Sequence, residues 1–145
     1  MAYATDTDLV ALHGTDAIDR LGDRTGTGVR DPETVARALD DAAALIDGYI
    51  GVRVALPLAP VPAVVKNLSI DIAVYRLAVD AGLLAEDMRK RYEDAIQFLR
   101  DVARGVATIP QPKPGDAVAS AEASPQSVVI DAAPRLFGRH QLRRL

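Results

Sequence analysis

The sequence predicts a mainly α protein: a compact helical bundle with three longer helices plus short N-terminal helices, followed by a Pro-rich linker and an extended C-terminal arm. Three observations predict it. Apolar residues recur at spacings of three and four in three long stretches, the period of a helix buried on one side. Residues that start and stop helices bracket those stretches. Apolar residues make up 49% of the chain while aromatics are only 4% and Trp is absent, so the core is built from Ala, Val, Leu and Ile. Such side chains suit closely approaching helices better than an aromatic-lined ligand pocket. At 145 residues the chain has the size of one ordinary domain plus extensions.

Taken in order, Thr5 or Thr7 caps a short helix that runs through Leu12 and ends at Gly14, and Ala17 to Leu21 adds a further turn or two. Gly22 to Asp31 reads as a loop because of Gly22, Gly26 and Gly28. Asp31-Pro32-Glu33 is a helix start: a capping carboxylate, a preset φ and an early acid facing the positive end of the helix dipole. Val35, Leu39, Ala42, Ile46 and Tyr49 continue it as an amphipathic helix to about Ile50. Gly51 to Pro62 holds Pro57, Pro60 and Pro62 and crosses in extended form to the next helix.

Val64 to Ala81 carries Val65, Leu68, Ile72, Tyr75 and Val79 on one face and Ile70, Val74 and Leu77 on another. A helix apolar on two faces is central or lies at an interface. Glu86 to Arg104 has Met88, Tyr92, Ala95, Leu99 and Val102 on one stripe, acids in its first turn, bases near its end and Gly105 as its stop. The helical body is thus read as residues 1–105. Prolines 110, 112, 114 and 125 among Ala, Ser and Gln make 106–126 a linker. The remainder, 127–145, holds a possible short strand at Ser127–Ile130 and then a basic arm. From Arg135 onward that arm has Arg135, Arg139, Arg143 and Arg144 interleaved with Leu136, Phe137 and Leu142, and no acid.

Candidate sites for chemistry are few. The chain has no Cys, which excludes disulfides, thiolate metal sites and a cysteine nucleophile. Asp23, Thr25, Thr27 and Gly28 fall at the first, third, fifth and sixth positions of an EF-hand loop, but the twelfth is Thr34, which lacks the bidentate carboxylate. A turn leading into a capped helix accounts for the same residues. Gly26-Thr27-Gly28 has neither the Gly-Lys-Ser/Thr nor the preceding strand of a phosphate loop. His13 and His140 are isolated and read as surface residues. Asp71, in the middle of the most apolar helix, needs a cationic partner; Arg76 and Arg91 are the candidates for an interhelix ion pair, with Arg89 nearby. No nucleophile and base can be paired, so the expectation is a non-enzymatic protein with no cofactor and no metal site. No stretch approaches a membrane span and no secretory leader is evident. The formal net charge of −3 argues against a general nucleic-acid coat.

Several stretches, in order, carry a resemblance: Ala2-Tyr3-Ala4-Thr5 with Asp8-Leu9, Ala38 to Ile50 (ALDDAAALIDGYI), Leu56-Pro57-Leu58 with Val61-Pro62, Asp71 to Leu77 (DIAVYRL), Arg89 to Arg100 (RKRYEDAIQFLR), and Phe137 with Arg139 and Leu142. Together they resemble the Gp36-type proteins of Mu-like phages and prophages, related to the head-to-tail connector (adaptor or head-completion) proteins of tailed phages. Relatives often carry a more acidic loop where this sequence has Asp23 to Asp31, a departure that speaks further against a metal site.

The resemblance implies a virion protein of the neck, between head and tail, present in the host cytoplasm during assembly. It implies a ring of about a dozen copies under the portal protein, as closed homo-oligomers form, with DNA passing through it unspecifically and a downstream stopper or tail-completion protein docking onto it. Within that expectation Arg135, Leu136, Phe137, Arg139, Leu142 and Arg143 dock onto the portal or a neighbouring subunit, and no membrane is involved. The alternative from another class is a small helical DNA-binding regulator using the C-terminal Arg cluster on phosphates. Against it, the long helices carry acids beside their bases and the cluster follows a Pro-rich linker.

Overall fold

A computed structural model of the chain describes residues 2–110. Five helices form there: α1 (Asp6–His13), α2 (Thr15–Gly22), α3 (Pro32–Ile50), α4 (Ala63–Asp80) and α5 (Glu86–Arg104). The arrangement is the mainly α bundle expected, with no strand among the described residues. The linker beyond residue 110, Ser127–Ile130 and the basic arm lie outside the described residues.

Local signals set the helix ends. Thr5 and Asp8 form a reciprocal capping box at the start of α1. Asp31 accepts from the backbone N–H groups of Glu33 and Thr34, with Pro32 at the first helical position of α3. Gly105 ends α5 in the left-handed region at φ 79, a conformation that costs other residues a steric penalty. Gly22 departs from its sequence reading: it is buried in the last turn of α2 and does not open the loop. A Cβ added there would lie 2.7 Å from Cβ of Arg30, so the glycine serves a close approach of two chain segments.

Helix α4 is the centre. It packs against α3 and α5 and also touches both short helices, which is why it is apolar nearly all round: Val65, Leu68, Ile70, Ile72, Ala73, Val74, Leu77 and Ala78 are all buried. Val79, assigned by periodicity to a buried stripe, is instead 47% exposed, because it faces an open groove beside α3 while Leu77 and Ala78 of the same turn point into the core. Ile46 from α3, Leu99 from α5, Leu9 from α1 and Ile18 from α2 complete one continuous core, and the rings of Tyr75 and Tyr92 stack at 4.0 Å between α4 and α5.

Arg53, just past α3, donates to the carbonyls of Ala103 and Arg104 at the end of α5, placing the C-terminal ends of α3 and α5 together and α4 antiparallel to both. Its charge meets the negative end of the α5 dipole. Packing continues past Gly105, since Ile109 is buried beside Arg53, Val54 and Val102.

Truncating the centre of this core is expected to cost most. Leu99→Ala and Ile72→Ala, both at fully buried positions, should each lower the unfolding free energy by about 2–5 kcal/mol. Gly22→Ala should destabilise through the clash with Arg30 rather than through a cavity. Chemical denaturation followed by circular dichroism measures all three; wild-type stability of Leu99→Ala would refute this account of the core.

Candidate functional site

The charged residues of this fold divide into groups that tie elements together and groups that face outward. Arg30, at the end of the α2–α3 loop, is the chief tie. Its Nε and Nη2 donate to the two oxygens of Asp6 at 2.9 and 2.8 Å, and Nη1 donates to Asp19 at 2.5 Å. One guanidinium thereby joins α1, α2 and the entry to α3, the fork geometry that arginine supplies and lysine does not. Lys66 of α4 reaches Asp8 of α1 at 3.1 Å. The Tyr3 hydroxyl donates to Asp47 of α3, and burial, then that acidic partner, raises its pKa.

The loop that resembles an EF-hand uses its carboxylate internally. Asp23 accepts from the backbone N–H groups of Thr25, Gly26 and Gly28 at 2.9, 2.7 and 2.6 Å. These bonds, that from Gly28 first, lower its pKa to about 2. The N–H groups supply the positive field that a cation would otherwise bring. Among the described residues no group of three or more His, Asp or Glu side chains is placed to hold a metal ion.

Asp71 faces α5, with its carboxylate 4.0 Å from Nη1 of Arg91. Burial raises its pKa, opposed first by Arg91 and then by His13. Arg76 goes elsewhere. Five positions along a helix is a rotation of about 140°, and Arg76 pairs with Asp41 of α3 at 2.9 Å. His13 corrects a sequence expectation: it is not a free surface residue, since its Nε2 is buried without a protein partner. It borders a small cavity of about 50 Å³ with Asp71, Asp87, Met88 and Arg91. Burial lowers its pKa, with Arg91 acting in the same sense. Its place beside Gly14 gave no sign of this, because the cavity is made by helices far along the chain.

The outward features gather at the two ends of the bundle. Where α3 and α5 finish, Val52, Leu56, Val61 and Val106 are exposed. At the other end Val79, Leu83 and Leu84 are exposed, next to an open groove of about 290 Å³ between α3 and α4. Arg24, Arg37 and Arg76 border that groove. Sequence reasoning missed it: Arg24 comes from the loop, Arg37 from α3 and Arg76 from α4, and no local spacing joins them. The residues expected to dock, Arg135, Leu136, Phe137, Arg139, Leu142 and Arg143, lie outside the described residues.

Comparison with known proteins agrees over most of the chain. The family described as Bacteriophage Mu, Gp36 matches residues 3–128. The chain is 32% identical to Gene product J of Escherichia phage Mu over 145 residues, covering 97% of each chain. It is 33% identical to Mu-like prophage FluMu protein gp36 of Haemophilus influenzae over 107 residues, 74% of each.

The carboxylate geometry has a pH consequence. Asp8, Asp23 and Asp31 have lowered pKa values, chiefly from bonds donated by the Thr5 hydroxyl, the Gly28 N–H and the Thr34 hydroxyl respectively. Their stabilising contribution is complete above the unfolded carboxylate value of about 3.9 and is lost as pH falls through the folded values, for Asp23 at about 2. Asp23→Asn should flatten the fall in melting temperature across that window. Millimolar Ca²⁺ should leave the melting temperature of the wild type unchanged, because a ligand held only by the folded state must raise it. A chelator-reversible rise would overturn the internal reading of the loop.

Proposed function

The chain belongs to the bacteriophage Mu Gp36 family, and from that premise we propose that it is a structural, non-enzymatic subunit of the head-to-tail connector of a tailed phage. Copies form a ring on the portal protein, DNA passes through the ring, and a downstream stopper or tail-completion protein assembles onto it. Its place is the neck of the virion, after a period in the host cytoplasm. The observation that carries the proposal is the family match across residues 3–128, together with the connector relationship that the resemblance implies.

Two physical features support it. A helical body built on small aliphatic side chains, with apolar residues exposed at both ends, suits lateral and end-to-end packing between subunits. Acids outnumber bases by 20 to 17, which suits a channel that DNA must slide through. The C-terminal arm docks onto the portal or onto a neighbouring subunit: Leu136, Phe137 and Leu142 bury apolar surface while Arg135, Arg139 and Arg143 pair with acids of the partner. Burying Phe137 at that contact contributes on the order of 1.5–3 kcal/mol before the cost of association is subtracted.

Deletion of residues 134–145 should leave circular dichroism and melting of the helical body nearly unchanged, while particles lose tails or leak DNA. Phe137→Ala should give a milder form, and Arg139→Glu should weaken docking in a salt-sensitive way. Infectious particles at wild-type yield from the truncated chain would sink the role of the arm. In light scattering the purified chain should be monomeric or weakly associated at micromolar concentration and form rings only on portals; a stable ring of the free chain would refute templating.

A further inference from the structure

The groove between the first turns of α3 and the last turns of α4 combines several arginines with an apolar wall. Arg24 and Arg37 border it and make no salt bridge with any described residue, whereas Arg76 is held by Asp41. Val79, 47% exposed, offers an apolar wall beside them. With Arg76 held by Asp41 and Asp80 also in the lining, the spare positive charge is small, enough for a single carboxylate beside an apolar side chain and too little for a run of phosphates.

The chain carries such a segment on its own surface. Leu83, Leu84 and Ala85 turn from α4 into α5, whose first residues are Glu86 and Asp87; all five are exposed, and Glu86 pairs with Arg89 at 2.9 Å while Asp87 makes no salt bridge with a described residue. Leu83 and Leu84, at 53% and 41% exposure, are the sequence-adjacent pair among the exposed large apolar residues of the described region. Gly82, at φ 68, directs this turn away from the end of α4.

We propose that the Leu83–Asp87 turn of one copy seats in the Arg24/Arg37/Val79 groove of a second copy, making this the contact between copies. The inference rests on the multi-copy reading above and names the surfaces that reading leaves open. A contact made by a five-residue segment in one groove is far smaller than a standard stable interface, which takes roughly 20–30 residues a side. The contact is therefore weak between free chains and strengthened when a template holds copies side by side.

Because the chain has no Cys, disulfide trapping reads the contact directly. Val79→Cys and Leu84→Cys single variants of the full chain, mixed and oxidised, should give the mixed dimer as the main cross-linked product. Arg24→Glu with Arg37→Glu in the Val79→Cys chain should abolish it, and high salt should reduce it. The control is Val52→Cys mixed with Leu84→Cys, which puts one thiol at the other end of the bundle. A mixed dimer no more abundant than the control, or one indifferent to charge reversal, would overturn the proposal, as would retention of duplex DNA through Arg24 and Arg37. Mixed dimers from a chain that never enters particles would sink the connector reading alone. Their absence in a chain that does enter particles would sink only this contact.

Discussion

Everything in this fold depends on the burial of α4. It contacts all four other helices, and its apolar residues run almost all the way round because it meets neighbours on nearly every side. Removing that apolar surface from water is the dominant favourable term, and it is shared: α3 and α5 each bury one face, and both do so chiefly against α4. The stacking of Tyr75 on Tyr92 and the capping of α5 by Arg53 adjust an arrangement that the apolar packing has already made.

The two short helices depend on it differently. Eight residues apiece, α1 and α2 are below the length at which a helix is stable alone. They persist because Leu9 and Ile18 enter the shared core, while Arg30 and Lys66 clamp them with ion pairs. Those clamps bridge separate elements and so fix the direction in which the N-terminal segment lies across α4. The short helices in turn bring His13 over α5, where it closes the cavity beside Asp71 and Arg91.

For a protein read as an assembly subunit, the division of charge matters more than its total. The side chains with inward partners build one compact body. Of the charges that face outward, Arg24 and Arg37 lie beside Val79 in one groove, and Asp87 follows the exposed Leu83 and Leu84 at the start of α5. Under the proposed function, partly satisfied surface of this kind would give specificity between copies through complementary charge, and the small apolar area would keep the free chains apart until assembly.

The sequence by itself determined the five helices and most of their ends, because those signals are local: the Thr5–Asp8 box, Asp31 before Pro32, Gly105 after the last turn of α5, and apolar spacing that matches one helical period. It also carried the family likeness, which resides in ordered short stretches. What only the tertiary structure decided is which distant groups meet. Arg30 gathers Asp6 and Asp19, Arg76 turns to Asp41, His13 is covered, Val79 is left bare and three arginines share one groove. The periodicity of Val64 to Ala81 states that a helix has apolar faces, not where its neighbours end, and a charge on one helix carries no mark of the partner it will face. Those outcomes are fixed by how the helices pack in three dimensions, and no window of adjacent residues contains that information.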